Sequence, residues 1–255
     1  MTDFLRSASV LFATLVLGVA TATLATPTAD EQVFDAARIK MVDRVAHEAR
    51  KSVGSHNHYV GAILEVMRVV PRHLFVPDNV RTLAYDDSPH PIGYDQTISD
   101  AYIVAVMTAL LKVGPDDSVL EVGTGSGYQA AILAGLVKNV YSIEIVEPLA
   151  VRSAALLASL GNSNVNIRNG DGYLGWPEHA PFDAIIVTAG ASSIPAPLLA
   201  QLKTGGRLIM PIGRNWATEH LELVERRRDG TFKVKRLEWV SFVPLTGIGQ
   251  TDFDK

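Results

Sequence analysis

The chain has 255 residues, 47% of them hydrophobic and 20% charged, an ordinary globular composition with room for one large domain or two small ones. Its formal net charge of −4 offers no basic excess for a polyanion, so no nucleic-acid partner is expected. It contains no cysteine, which excludes disulfides, thiolate metal sites and cysteine nucleophiles.

The first residues differ from the rest. A short polar start ending at Arg6 precedes an apolar run from Ala8 to Ala20, and Ala20-Thr21-Ala22 and Thr23-Leu24-Ala25 offer small-x-small cleavage sites. The run is shorter than the ~20 residues of a spanning helix. Residues 1–25 therefore read as a signal peptide, with residues 31–255 left for the folded domain. The expected location is the periplasm after export, with no stable membrane association after cleavage; the alternatives are an uncleaved anchor and a misassigned start, and a non-functional leader would leave the protein in the cytoplasm.

Apolar spacing predicts helices over Phe34–Lys51 and Tyr59–Val70, the second stopped by Pro71. Arg72–Asp100 is rich in Pro, Gly, Asp and His and reads as a long irregular segment, of the kind that tends to be functional. A helix over Ala101–Leu111 follows. From Asp117 onward short apolar strands alternate with helices: strands at Ser118–Val122, Asn139–Ile145, Asn164–Arg168, Ala184–Thr188 and Arg207–Pro211, helices at Tyr128–Leu136, Pro148–Leu160 and Pro197–Leu202. That alternation implies an α/β, doubly wound, mainly parallel sheet covered on both faces. Two further strands flank Asp229-Gly230, a two-residue turn signal, and predict a C-terminal antiparallel hairpin at one edge.

Gly123, Gly125 and Gly127 lie between the first sheet strand and its helix, where a glycine turn lets the backbone approach a ligand at a helix N-terminus. The spacing is G-x-G-x-G, not the G-x-G-x-x-G of dinucleotide folds. Glu121, just before the turn, would repel a pyrophosphate. S-adenosyl-L-methionine brings an ammonium and a sulfonium and no phosphate, so the charge pattern favours it as the cofactor. Glu144 ends the next strand, placed for ribose hydroxyls, and Asp171 in Gly170-Asp171-Gly172 is placed near an adenine edge.

The run Pro91-Ile92-Gly93-Tyr94-Asp95-Gln96-Thr97-Ile98-Ser99 resembles the protein-L-isoaspartate O-methyltransferase family. So do Val70-Pro71-Arg72-His73-Leu74-Phe75-Val76-Pro77 upstream and, downstream, the Glu121–Tyr128 turn, Tyr141–Glu144, Gly170–Tyr173, Pro181–Ala189 and Val243–Thr246. The resemblance spans about Arg38 to Thr246. It implies a seven-stranded methyltransferase fold and methyl transfer to the carboxylate of isoaspartyl residues in damaged proteins and peptides, and the tail beyond Thr246 does not follow the family pattern. It also implies Ser99 as the active-site residue and Glu121, Gly123, Gly125, Gly127, Glu144, Asp171 and Gly172 as the cofactor-binding set. Asp95 departs from the family pattern by adding a negative charge beside a site that must accept a carboxylate.

Alternative readings are a same-fold methyltransferase for a small-molecule carboxylate and a silent binding module. Ser99 has a second reading as the cap of the helix that follows. His56-x-His58 reads as a solvated turn, with no metal expected, and no G-x-S-x-G elbow supports a serine hydrolase.

Overall fold

The computed structural model describes residues 28–54, 57–214 and 218–249. The expected leader and His56 lie outside the described residues.

Helix α1 spans Ala29–Val53, starting five residues before the apolar periodicity does. The Thr28 hydroxyl accepts the Glu31 amide at 3.2 Å while Glu31 accepts the Thr28 amide at 2.6 Å, a capping box that starts the helix where its first turn faces solvent. Helix α2 (Tyr59–Val69) ends ahead of Pro71, and α3 (Ala101–Leu111) packs with both. Among the described residues no helix is long and apolar enough to cross a membrane.

The segment expected to be irregular is more ordered than its composition suggests. Two short 3-10 turns, Arg72–Phe75 and Asp78–Leu83, lead to an antiparallel pair, β1 (His90–Gly93) and β2 (Gln96–Ile98). The connecting residues Tyr94 and Asp95 both sit at φ 56, the left-handed pair that a tight two-residue hairpin requires. That explains Asp95: aspartate tolerates the left-handed region, and its side chain is exposed at the hairpin tip, outside the cavity described below.

The main sheet contains β3 (Ser118–Val122), β4 (Asn139–Glu144), β5 (Val165–Asn169), β6 (Phe182–Val187), β7 (Leu202–Ile212), β8 (Glu219–Arg226) and β9 (Phe232–Val240). Their order is β5-β4-β3-β6-β7-β8-β9. The first five positions pair in parallel, and β8 and β9 add antiparallel at the β7 edge. Helices α4 (Tyr128–Ala134), α5 (Glu147–Ser159) and α6 (Ala196–Gln201) connect the parallel strands. Alternate residues of β3 enter opposite cores: Val119 packs with α1–α3, Leu120 and Val122 with Phe182, Ile185 and Leu208. Because the strand order reverses direction at β3, the crevice beyond the carboxyl ends of β3 and β4 is where such a sheet opens to a ligand.

Candidate active site

Gly123 leaves β3 at φ +94 and donates to the Ile143 carbonyl at 2.8 Å. A Cβ at this position would lie 2.5 Å from Thr188 Oγ1, whose hydroxyl donates to the carbonyls of Val122 at 3.1 Å and Gly123 at 2.8 Å. The turn is thus pinned between β4 and β6. Glu144 joins it from the end of β4: one carboxylate oxygen accepts the Gly125 amide at 2.7 Å, the other the Val146 amide at 2.9 Å. Gly172 closes against β3 so tightly that a Cβ would stand 2.3 Å from Val122 Cγ1.

Gly123, Gly125, Glu144 and Gly172 line one cavity, together with Gln96–Ser99, Met107, Thr188 and the chain segment Val243–Thr246. The remaining expected residues stand outside its lining. Glu121 is fully buried beneath the turn and accepts the hydroxyl of Ser142, its register partner on β4, at 2.5 Å. Ser142 also bonds Thr124 at 2.5 Å, so Glu121 supports the turn from behind. Burial pushes its carboxyl up to about 8, against the opposing pull of the Ser142 hydroxyl. Gly127 packs on α5, where a Cβ would meet Leu157 and Ser153 at 3.1 and 3.2 Å. The Asp171 carboxylate accepts the amides of Tyr173 and Ile248, each at 2.9 Å, and tethers the C-terminal segment to the end of β5.

Ser99 lines both this cavity and an adjoining cleft formed by Asp100, Tyr102, Glu238, Trp239 and Phe242. Its hydroxyl has no hydrogen-bond partner among the described residues, and its carbonyl accepts Arg72 Nη2 at 2.7 Å. The capping reading is corrected: the cap of α3 is Asp100, whose carboxylate accepts the Ile103 amide at 2.9 Å. The neighbouring acid takes that role, and Ser99 itself is a residue shared by the two linings.

The Val243–Thr246 segment, the roof of the cavity, is held by the residues just beyond β6 and by the start of β8. Gly190 donates to the Val243 carbonyl at 2.9 Å and accepts the Leu245 amide at 2.7 Å. Glu219, fully buried at the start of β8, accepts the Phe242 amide at 2.7 Å. Burial raises its carboxyl to about 7 despite that bond.

Glu219, Thr188 and the role of Arg72 escaped the sequence reading. A lone acid in an amphipathic strand reads as solvent-facing, and a threonine after an apolar strand reads as its end. Arg72 carried one available signal, the absence of any carboxylate within four residues on either side.

The ionisable lining has one sign. Glu144, Asp100 and Glu238 contribute carboxylates, and neither lining contains a lysine, arginine or histidine. Such a cavity ill suits a pyrophosphate and fits a group with a diol for Glu144 and positive charge elsewhere. S-adenosyl-L-methionine meets both conditions, and the glycine positions give its approach the necessary room.

The family model described as protein-L-isoaspartate(D-aspartate) O-methyltransferase matches residues 46–250. The chain is 53% identical to protein-L-isoaspartate O-methyltransferase 2 of Syntrophobacter fumaroxidans, over 86% of this chain and 90% of the relative. It is 48% identical to protein-L-isoaspartate O-methyltransferase 1 of Cupriavidus necator, over 91% of each. The same fold occurs in the solved structure of a beta-aspartate methyltransferase from Plasmodium falciparum in complex with S-adenosyl-L-homocysteine. That likeness has a TM-score of 0.67 at 24% identity and covers 84% of this chain and 98% of the other.

Proposed function

The chain belongs to the protein-L-isoaspartate(D-aspartate) O-methyltransferase family, and from that premise we propose that Ser99 orients an isoaspartyl carboxylate for methylation. The protein is a methyltransferase dependent on S-adenosyl-L-methionine. Its acceptors are isoaspartyl residues of damaged proteins and peptides.

The observation that carries the reading is the position of Ser99, whose residue lines the glycine-turn cavity on one side and the open cleft on the other. Glu144 would hold the ribose hydroxyls, and the backbone at Gly123, Gly125 and Gly172 would seat the rest of the cofactor. Glu121, Gly127 and Asp171 support that seat from outside it. When bound, S-adenosyl-L-methionine supplies a methyl carbon activated by positive sulfur.

The chain's own residues have little proton chemistry to perform. A carboxylic acid with a reference pKa of about 4 is already ionised at neutral pH, so the acceptor needs no strong general base. What remains is alignment in a site screened from water, and effects of this kind supply several kcal/mol. The Ser99 hydroxyl donates to the acceptor carboxylate and fixes its approach, while the roof at Val243–Thr246 limits solvent access. The methyl ester then loses methanol as the following backbone amide nitrogen closes a succinimide. Hydrolysis of that ring returns part of the material as normal aspartate.

Incubating the protein with labelled cofactor and a matched pair of peptides, one isoaspartyl and one aspartyl, tests this reading. Label should enter only the isoaspartyl peptide. Equal labelling of both, or labelling of a small acid alone, would overturn it.

The apolar run and small-residue exit of residues 1–25 support export to the periplasm. N-terminal sequencing of the protein from cells should find a start after the small-residue sites; a start at Met1 overturns cleavage.

A further inference from the structure

Arg72 is fully buried, and among the described residues no carboxylate lies within ion-pair distance of it. Its Nε donates to the Ala84 carbonyl at 2.7 Å and its Nη2 to the Ser99 carbonyl at 2.7 Å. The guanidinium carbon stands 4.6 Å from the centre of the Tyr128 ring, and Nη1 has no partner. Burial disfavours the cation more than nearby Tyr128 and Asp100 favour it, so this arrangement is costly to the fold. A leucine or methionine would fill the same space without that penalty.

The two carbonyls explain what the charge does. Ala84 and Ser99 bound the segment that contains the β1–β2 hairpin, and Tyr128 is the first residue of α4 after the glycine turn. One rigid planar group therefore bonds both ends of the hairpin segment and packs on the first residue beyond the cofactor turn. Lysine could not do the same, because it lacks the fork that serves two acceptors at fixed angles. The cavity linings contain no cation of their own, and Arg72 brings positive charge to within one hydrogen bond of Ser99.

We infer that Arg72 is a positioning residue for methyl transfer, fixing Ser99 against the glycine turn through the Ser99 carbonyl. This inference rests on the reading of Ser99 as the residue that orients the acceptor.

The test is a double-mutant cycle on the full chain. It reads turnover of an isoaspartyl peptide, affinity for S-adenosyl-L-homocysteine by calorimetry, and folding by circular dichroism. Arg72→Met should lower kcat about 30–100-fold while cofactor affinity stays within about 3-fold. Arg72→Lys should recover part of the rate, since it restores charge without the fork. On a Ser99→Ala background, Arg72→Met should add less than about 3-fold, because the residue it positions has lost its hydroxyl. Fully additive losses overturn the inference, as do an unchanged kcat in folded Arg72→Met or a loss of cofactor affinity in step with rate. A Ser99→Ala enzyme at full speed overturns the Ser99 reading itself and the inference with it. If Arg72→Met does not fold, the same cycle is read with Arg72→Lys. If neither folds, Arg72 belongs to stability and the inference falls.

Discussion

The carboxylate of Glu219 accepts the amide of Phe242 at 2.7 Å from a fully buried position, joining the start of β8 to the segment that roofs the cofactor cavity. The bond ties β8 to the residue that precedes the Val243–Leu245 part of the cavity lining.

Glu219 should make stability depend on pH. Burial raises its carboxyl from an ordinary 4.5 to about 7, so the folded state binds this proton more tightly than the unfolded state does. The resulting stabilisation is fully present below pH 4.5 and is lost as pH rises through about 7. Glu121, raised to about 8, acts in the same direction. Urea unfolding across pH 5–8 should show declining stability, and Glu219→Gln should flatten that decline by on the order of 1–3 kcal/mol. A Gln variant with the wild-type slope would remove Glu219 from the account.

Ser99 and its neighbour should separate chemistry from capping. Ser99→Ala is expected to lower kcat by about 10²-fold with a melting temperature close to wild type. Asp100→Ala, which removes the α3 cap, should cost about 1 kcal/mol of stability. Thermal unfolding and single-turnover kinetics on both variants check the split, and Ser99→Ala at full rate contradicts it.

Glu144→Ala should weaken cofactor binding by about 1–3 kcal/mol through the loss of charge-assisted bonds. Part of that loss comes from the Gly125 amide, which Glu144 holds in place even in this structure. Calorimetry with S-adenosyl-L-homocysteine decides it, and unchanged affinity would exclude Glu144 from the binding set.

Gly172→Ala should disturb the cavity through packing alone. Its new methyl would meet Val122 Cγ1 at 2.3 Å, too close for either group to stay in place. A cost of about 1–3 kcal/mol in stability is expected, as for overpacking elsewhere, together with weaker cofactor binding. Wild-type unfolding and affinity would show that β3 yields more easily than this.

The parallel sheet was legible because its central strands are buried on both faces and read as apolar runs, such as Ala184 to Val187. The glycine turn was legible for its spacing. The β1–β2 hairpin was not, since Tyr94 and Asp95 adopt a backbone that Asn-Gly usually announces. Helix α1 was shortened by a reading that followed hydrophobic spacing, while its true start depends on polar capping at Thr28 and Glu31. Within the site, Glu121, Gly127 and Asp171 fall outside the cavity lining: the carboxylates of Glu121 and Asp171 bond Ser142 and the C-terminal segment, and Gly127 packs on α5. Arg72 and Glu219 were illegible in role because their partners lie 12 to 27 residues away along the chain.

The order in which the cavity is assembled sets a condition on where the protein can acquire its cofactor. The floor at Val122–Ser126 and the roof at Val243–Thr246 are well separated along the chain, the roof coming after every strand of the sheet. A growing chain therefore has no enclosed pocket until Val243–Thr246 are available. If the chain crosses a membrane unfolded, it cannot carry the methyl donor along as a passenger. The donor must then be met at the destination.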